Sequence, residues 1–180
     1  MITHPWHEAP SGFNLDFEVN ALIEISMGMR TKYEVDNETG LLKLDRILFS
    51  SVQYPANYGF IPQSLGEDGD PLDVMVICKE SIVPLCLVPA RIVGVMRMVD
   101  QGLVDDKILA VPIKNASTRN ILDVKDVEDD LKQEFKTFFE SYTLLENKSV
   151  QVPAFLSKEV AKNLVVEALN RYANSYGKSE

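Results

Sequence analysis

The chain has 180 residues, 46% hydrophobic and 25% charged, a composition that fits one globular domain with a sizeable core and excludes wholesale disorder. Its formal net charge of −9 excludes a general electrostatic attraction to nucleic acid or to an anionic membrane, so an anionic partner would need local cations or bound metal. No apolar run reaches membrane-span length and no signal-peptide pattern opens the chain, so a soluble, cytoplasmic protein is expected. Cys78 and Cys86 lie in apolar surroundings and read as a reduced pair, in keeping with that compartment.

Residues 1–20 form a lead-in punctuated by Pro5, Pro10 and Gly12 and are expected to be mobile. They hold the only histidines, His4 and His7, so a Ser-His-Asp or Cys-His centre is not expected, and neither histidine is assigned a role. From 21 to 112 the pattern favours strands. Short aliphatic and β-branched runs at 21–26, 41–49, 74–78, 90–98 and 108–112 are separated by turn material such as Asn37-Glu38-Thr39-Gly40, which suggests a small, strongly twisted barrel. The character then changes. Leu131, Phe135, Phe138, Tyr142 and Leu145 recur at helical spacing and predict a helix over 126–146. A second helix over 157–173 starts with Ser157 as N-cap and carries Val160, Leu164, Ala168 and Tyr172 on one face. A β-barrel core over 21–112 with helices packed outside it, in one domain, is the expected architecture.

The segment Glu67-Asp68-Gly69-Asp70-Pro71-Leu72-Asp73 puts three aspartates into six residues at the mouth of a strand. Carboxylates this close repel one another unless a cation sits among them. Oxygen donors without histidine or thiolate suit magnesium, manganese or calcium better than zinc or copper. A second acidic group, Asp100 with Asp105-Asp106-Lys107, reads either as a solvated hairpin loop or as another wall of the same site. A helix-loop-helix calcium site fits poorly, because Asp73 and Lys79 would stand where that loop needs glycine and glutamate. Magnesium takes few carboxylates, keeps several waters and is usually completed by substrate phosphates. Two such ions can generate hydroxide and hold both oxygens of a phosphoryl transfer.

A phosphate substrate also needs cations. Lys32 and Arg46 interrupt apolar or alternating stretches, and a period of two places Arg46 on one face with Leu42, Leu44 and Leu48. A guanidinium there requires an anion, supplied by substrate or by a structural partner such as Asp45 or Glu24. Glu24 poses the same question inside an aliphatic strand. Tyr54 and Tyr58 could donate to phosphate oxygens or simply pack, and Tyr142 is core by default. Neither usual nucleotide cradle is present, nor are cysteines at zinc spacing.

In order along the chain these residues resemble the soluble inorganic pyrophosphatases of the magnesium-dependent OB-barrel family, bacterial type. The D-x-D-P-x-D hallmark is met by Asp68, Asp70, Pro71 and Asp73, and seven further blocks stand collinear with it between about 20 and 150. The resemblance implies an OB-like five-stranded barrel with flanking helices, and hydrolysis of pyrophosphate to two phosphates. It implies that Asp68, Asp73 and Asp105 hold a tight magnesium, that Asp100 and Asp105 hold an ion arriving with substrate, and that Glu34 helps position another. Asp70 would be the general base. Lys32, Arg46, Tyr58 and Tyr142 would grip phosphate, with Tyr54 and Lys107 in support and Glu24 behind the ligands. Several Mg2+ ions per site are implied, with Mn2+ or Zn2+ as substitutes, in a homohexamer. One position departs: where the family carries a phosphate-contacting lysine after the helix tyrosine, Thr143 follows Tyr142, and Lys148 is the nearest substitute cation. A nucleic-acid-binding barrel, a nucleotide phosphatase and a dead scaffold are the rivals; net acidity, the lack of a base pocket and the intact carboxylate set argue against them in turn.

Overall fold

The computed structural model describes residues 4–143 and 149–177. Its strands are β1 (Glu18–Ile25), β2 (Thr31–Val35), β3 (Leu42–Ile47), β4 (Asn57–Phe60), β5 (Asp73–Val76), β6 (Leu87–Asp100), β7 (Leu103–Val104), β8 (Lys107–Pro112) and β9 (Val150–Ser157). Its α-helices are α1 (Pro5–Glu8), α2 (Asp129–Ser141) and α3 (Lys158–Tyr176). Five strands close on themselves. β1 pairs antiparallel with β4, β4 with β5, β5 runs parallel to β8, and β6 pairs antiparallel with both β8 and β1. A five-membered ring is therefore present, but β4 stands in it where the run at 41–49 was expected, that run forming β3 outside the ring. Closure satisfies strand edges that would otherwise be open. β2 and β3 form a separate hairpin beside it.

The strands read as continuous apolar runs because both of their faces are buried. β5 sends Val74 and Val76 into the cluster that Ala161, Val165 and Ala168 of α3 cover. Its Met75 goes to the cluster under Phe135, Phe138 and Phe139 of α2. β8 divides in the same way, Ile108 and Ala110 to one side, Leu109 and Val111 to the other. Gly59 of β4 lies opposite Ile23, and a Cβ there would come within 1.8 Å of the Leu22 carbonyl oxygen. Only glycine permits that approach.

Some boundaries differ from expectation. β2, β4 and β9 fall outside the expected runs: β4 is only four residues long, and β9 carries Pro153, tolerated because this strand pairs with β6 alone. α2 starts three residues later than expected. Val124–Asp126 forms a 3-10 turn closed by a capping box from Asp123, and the chain is extended at Val127 before the helix begins. Tyr142 caps α2, and the expected core position Leu145 lies outside the described residues. Ser157 does occupy the N-cap of α3, without a side-chain capping bond.

The lead-in is docked rather than mobile. Trp6 is buried against Leu22, Val35 and Phe60, and its Nε1 donates to the Ser64 carbonyl at 2.8 Å. His7 Nδ1 and the Tyr172 hydroxyl of α3 are 2.7 Å apart. Burying an indole with its donor satisfied is enough to fix so short a segment.

Candidate active site

Strand register gathers the acidic groups. Val74 of β5 pairs with Ile108 of the parallel β8, so Asp73 and Lys107, which begin those strands, are neighbours. β6 runs antiparallel to β8 and therefore ends, at Asp100, on the same rim. The turn after it, Gln101-Gly102, takes positive φ at both residues and returns β7. Phe60, the last residue of β4, lies opposite Asp73, which brings in Tyr58 two residues earlier. A cleft of about 520 Å3 opens there, lined by every side chain to which the resemblance gives a site role except Tyr54. Tyr54 lies behind Tyr58, with ring centroids 5.4 Å apart, and faces a different cavity; it supports the wall and does not reach the cleft.

The hairpin delivers the cations. Lys32 pairs with Arg46 across β2 and β3, but the next pair is Tyr33 with Leu44, so Asp45 is a bulged extra residue. The bulge breaks the strict alternation expected for Leu42, Leu44, Arg46 and Leu48. Leu44 is 54% exposed, and Asp45 reaches both cations, 3.0 Å from Lys32 Nζ and 2.7 Å from Arg46 Nη1. Lys32 also bonds Glu34. The question left open for Arg46 is answered in part: Asp45 is its structural partner, while the residue still lines the cleft.

Lys107 is 3% exposed, and its ammonium bridges Asp73 and Asp105, 2.5 Å from Asp105 Oδ1. Burial alone would lower the lysine's pKa, but the two carboxylates outweigh it and raise it. Asp105 is pushed up to about 6, chiefly by burial, with Lys107 opposing and Asp73 adding. Its neighbour Asp106 turns away to Arg97, at 3.0 Å, and is structural. Tyr58 and Tyr142 are raised by burial, so both keep their hydroxyl protons and can donate. Asp70, exposed at the mouth of the cleft, is raised by the partial desolvation its walls impose, opposed by a hydrogen bond from Asn37 and reinforced by Asp68 and Asp73.

Glu24 accepts from the Val35 backbone N–H at 2.5 Å, and burial pushes it up to about 8 from 4.5. Folding therefore takes up a proton at Glu24 between those values, and stability is lost as pH rises through that window. Glu24→Gln keeps the acceptor and removes the charge. In metal-free buffer the variant is expected to match the parent near about pH 4.5 and to exceed it by at most about 5 kcal/mol above about pH 8. Thermal unfolding at the two pH values checks this; equal gaps at both would rule out titration of Glu24 as the cause.

Asp68, Asp73 and Asp105 line the same cleft, though among the described residues they do not stand as a ready-made group of three metal donors. Lys107 occupies the space between Asp73 and Asp105, and Asp68 turns into its own loop to accept from the Asp70 N–H at 3.1 Å. The donor set nonetheless suits a hard divalent cation. Nine carboxylates face four basic side chains around the cleft, and Asp100 Oδ1 is buried without a hydrogen-bond partner among the described residues. Thr143 is 1% exposed and does not line the cleft, so it offers substrate nothing. Lys148 lies outside the described residues. The contact of Asn37 with Asp70, at 3.2 Å, was hidden from sequence reasoning because Asn37 stands in an ordinary turn.

Comparison with known proteins accords with this geometry. The inorganic pyrophosphatase family profile matches residues 21–173. Soluble inorganic pyrophosphatase 2 of Chlamydomonas reinhardtii is 45% identical over 174 residues, spanning 97% of this chain and 91% of that protein. A soluble inorganic pyrophosphatase of Oryza sativa is 46% identical over 172 residues, 96% of this chain and 80% of the relative. Among solved structures, the inorganic pyrophosphatase from Thermus thermophilus superposes with a TM-score of 0.88 at 36% identity, covering 93% of this chain and 98% of that one. The match thus reaches algal and plant sequences as well as a bacterial structure, and the chain belongs to the inorganic pyrophosphatase family.

Proposed function

We propose that the chain performs its family's reaction, hydrolysis of inorganic pyrophosphate to two orthophosphates, in the carboxylate-lined cleft, with Asp70 as general base. One observation carries the reading: the Asp68–Asp73 loop, Asp100, Asp105 and the Lys32–Arg46 pair all line one cleft of about 520 Å3. Magnesium would be held by Asp68, Asp73 and Asp105, with Asp100 and Glu34 completing further sites and Glu24 behind them. When bound, the ions supply positive charge that offsets the substrate's and lower the pKa of coordinated water.

The side chains do the rest by position and charge, since phosphoryl transfer asks little covalent chemistry of the protein. Lys32 and Arg46 grip phosphate oxygens, and Asp45 holds the two like charges side by side. Tyr58 and Tyr142, kept neutral by burial, donate hydroxyl hydrogen bonds. Asp70 takes a proton from the attacking water as its oxygen bonds to phosphorus, and the bridging P–O bond breaks to release the second phosphate. Lys107 offsets charge beneath the cleft.

The test is phosphate release from pyrophosphate. Turnover is expected with magnesium and abolished by excess EDTA, whereas no release, or release indifferent to EDTA, overturns the proposal. Cytoplasmic location and a homohexamer complete it. Unpaired Cys78 and Cys86 support the first. Phe49 and Val83, 67% and 69% exposed on the single chain, support burial against further copies.

A further inference from the structure

Helix α1 touches two loops at once. Toward the tip of the β2–β3 hairpin, His4 Nε2 donates to the Asn37 carbonyl at 3.2 Å. Gly40 of that tip, at φ +69°, leaves so little room that a Cβ would lie 3.1 Å from His4 Cα and Pro5 Cδ. Toward the loop leading into Asp68–Asp73, Gln63 donates its backbone N–H to the Trp6 carbonyl at 2.9 Å and its Nε2 to the His7 carbonyl at 3.2 Å. Trp6 Nε1 donates to Ser64. Gln63 itself has φ +55°, a conformation that costs energy in a non-glycine residue and persists when its surroundings fix it. Ser64 Oγ then accepts from the Leu72 N–H at 2.9 Å, and the Gly66 N–H donates to the Asp70 carbonyl at 2.6 Å, closing the acidic loop at its base.

Across the gap between these loops Asn37 Nδ2 donates to Asp70 Oδ1 at 3.2 Å. The turn does not need that side chain. Asp36 Oδ1 already accepts from the Thr39 N–H, the Thr39 hydroxyl and the Glu38 N–H, and the Gly40 N–H donates to the Asp36 carbonyl. We propose that Asn37 is a positioning residue for Asp70, and that His4, Pro5 and Trp6 hold the two loops at the separation this contact requires. A single exposed hydrogen bond between free loops would count for little. Between two loops clamped to one short helix, whose Trp6 is buried, it fixes the direction of a carboxylate whose task depends on aim. The inference rests on Asp70 acting in the reaction.

The experiment compares Asn37→Ala, Asn37→Asp and His4→Ala, each alone and on the Asp70→Asn background, with magnesium and pyrophosphate. Thermal unfolding in EDTA accompanies the kinetics. Aspartate serves a turn as well as asparagine does, so a merely structural Asn37 would tolerate Asn37→Asp. A positioning Asn37 would not, because carboxylate then faces carboxylate. Expected are a fall in kcat of about tenfold for Asn37→Ala and about a hundredfold for Asn37→Asp, with KM within about twofold. His4→Ala is expected to cost about threefold, and none of the three to lower kcat further once Asp70 is asparagine. Normal kcat in Asn37→Asp, or losses that persist undiminished on the Asp70→Asn background, overturn the inference. If Asn37→Asp does not fold, Asn37→Ala and its double variant decide alone. An Asp70→Asn protein that retains full turnover instead overturns the reading of Asp70 itself.

Discussion

Asp70→Asn lowers kcat by about two to four orders of magnitude, the range expected when a general base is removed, and leaves KM within a few-fold of the parent. The side chain that changes is exposed in a loop. The bond that holds the loop, from the Gly66 N–H to the Asp70 carbonyl, is main-chain and survives the substitution. Asparagine is nearly isosteric and can still meet Asn37. Lys32 and Arg46 stand on a different element, the β2–β3 hairpin, so the grip on phosphate is untouched. Steady-state kinetics with magnesium and pyrophosphate, alongside a thermal midpoint equal to the parent's, test the pattern. Retention of more than about a tenth of kcat would move the proton-accepting role to another carboxylate of the cleft. A rise in KM with kcat preserved would make Asp70 a binding group instead.

What the sequence discloses about this site depends on how local each feature is. The run Asp68, Asp70, Asp73 is visible because like charges crowd within six residues and only a cation makes sense of them. Four of the ring's five strands were foreseeable from short aliphatic runs, since both faces of β5 and β8 are buried and leave no polar alternation to confuse them. By contrast β4 is too short to stand out, and β3 is wrongly counted in its place. Features made by long-range contact stayed hidden. Nothing near Trp6 signals that Ser64 will receive its indole N–H, so a proline-punctuated lead-in reads as loose chain. The bulge at Asp45 depends on how β2 and β3 align, and it reverses the facing of residues beyond it, so period-two reasoning about Leu44 and Arg46 went astray. Thr143 could be recognised as a departure, but not as a residue buried off the cleft. Lys107 was assigned a supporting role, yet its place between Asp73 and Asp105 follows only from the register of two parallel strands.

That place makes Lys107→Met the sharpest probe of charge balance in the metal-free protein. Methionine keeps most of the buried stem, so packing is largely preserved, while the ammonium between Asp73 and Asp105 is lost. Breaking a fully buried pair costs about 3–5 kcal/mol. Here both carboxylates are about a quarter exposed, and screening reduces the expectation to about 2 kcal/mol, or roughly 4–8 °C in a chain of this size. The sign with pH is fixed by linkage. Asp105 is already held at about 6 with Lys107 present, and removing the opposing cation raises it further. The folded variant then binds more protons than the unfolded chain from about pH 4 to beyond neutrality, so its stability falls as pH rises through that window. The deficit is therefore larger at about pH 8 than at about pH 4, measured by thermal unfolding in EDTA. Magnesium at about pH 8 recovers part of the midpoint, because a divalent ion among the same carboxylates replaces the missing charge. A loss of equal size at both pH values, untouched by magnesium, would locate the defect in packing around the lysine stem. In that case the ammonium is not what keeps these carboxylates together.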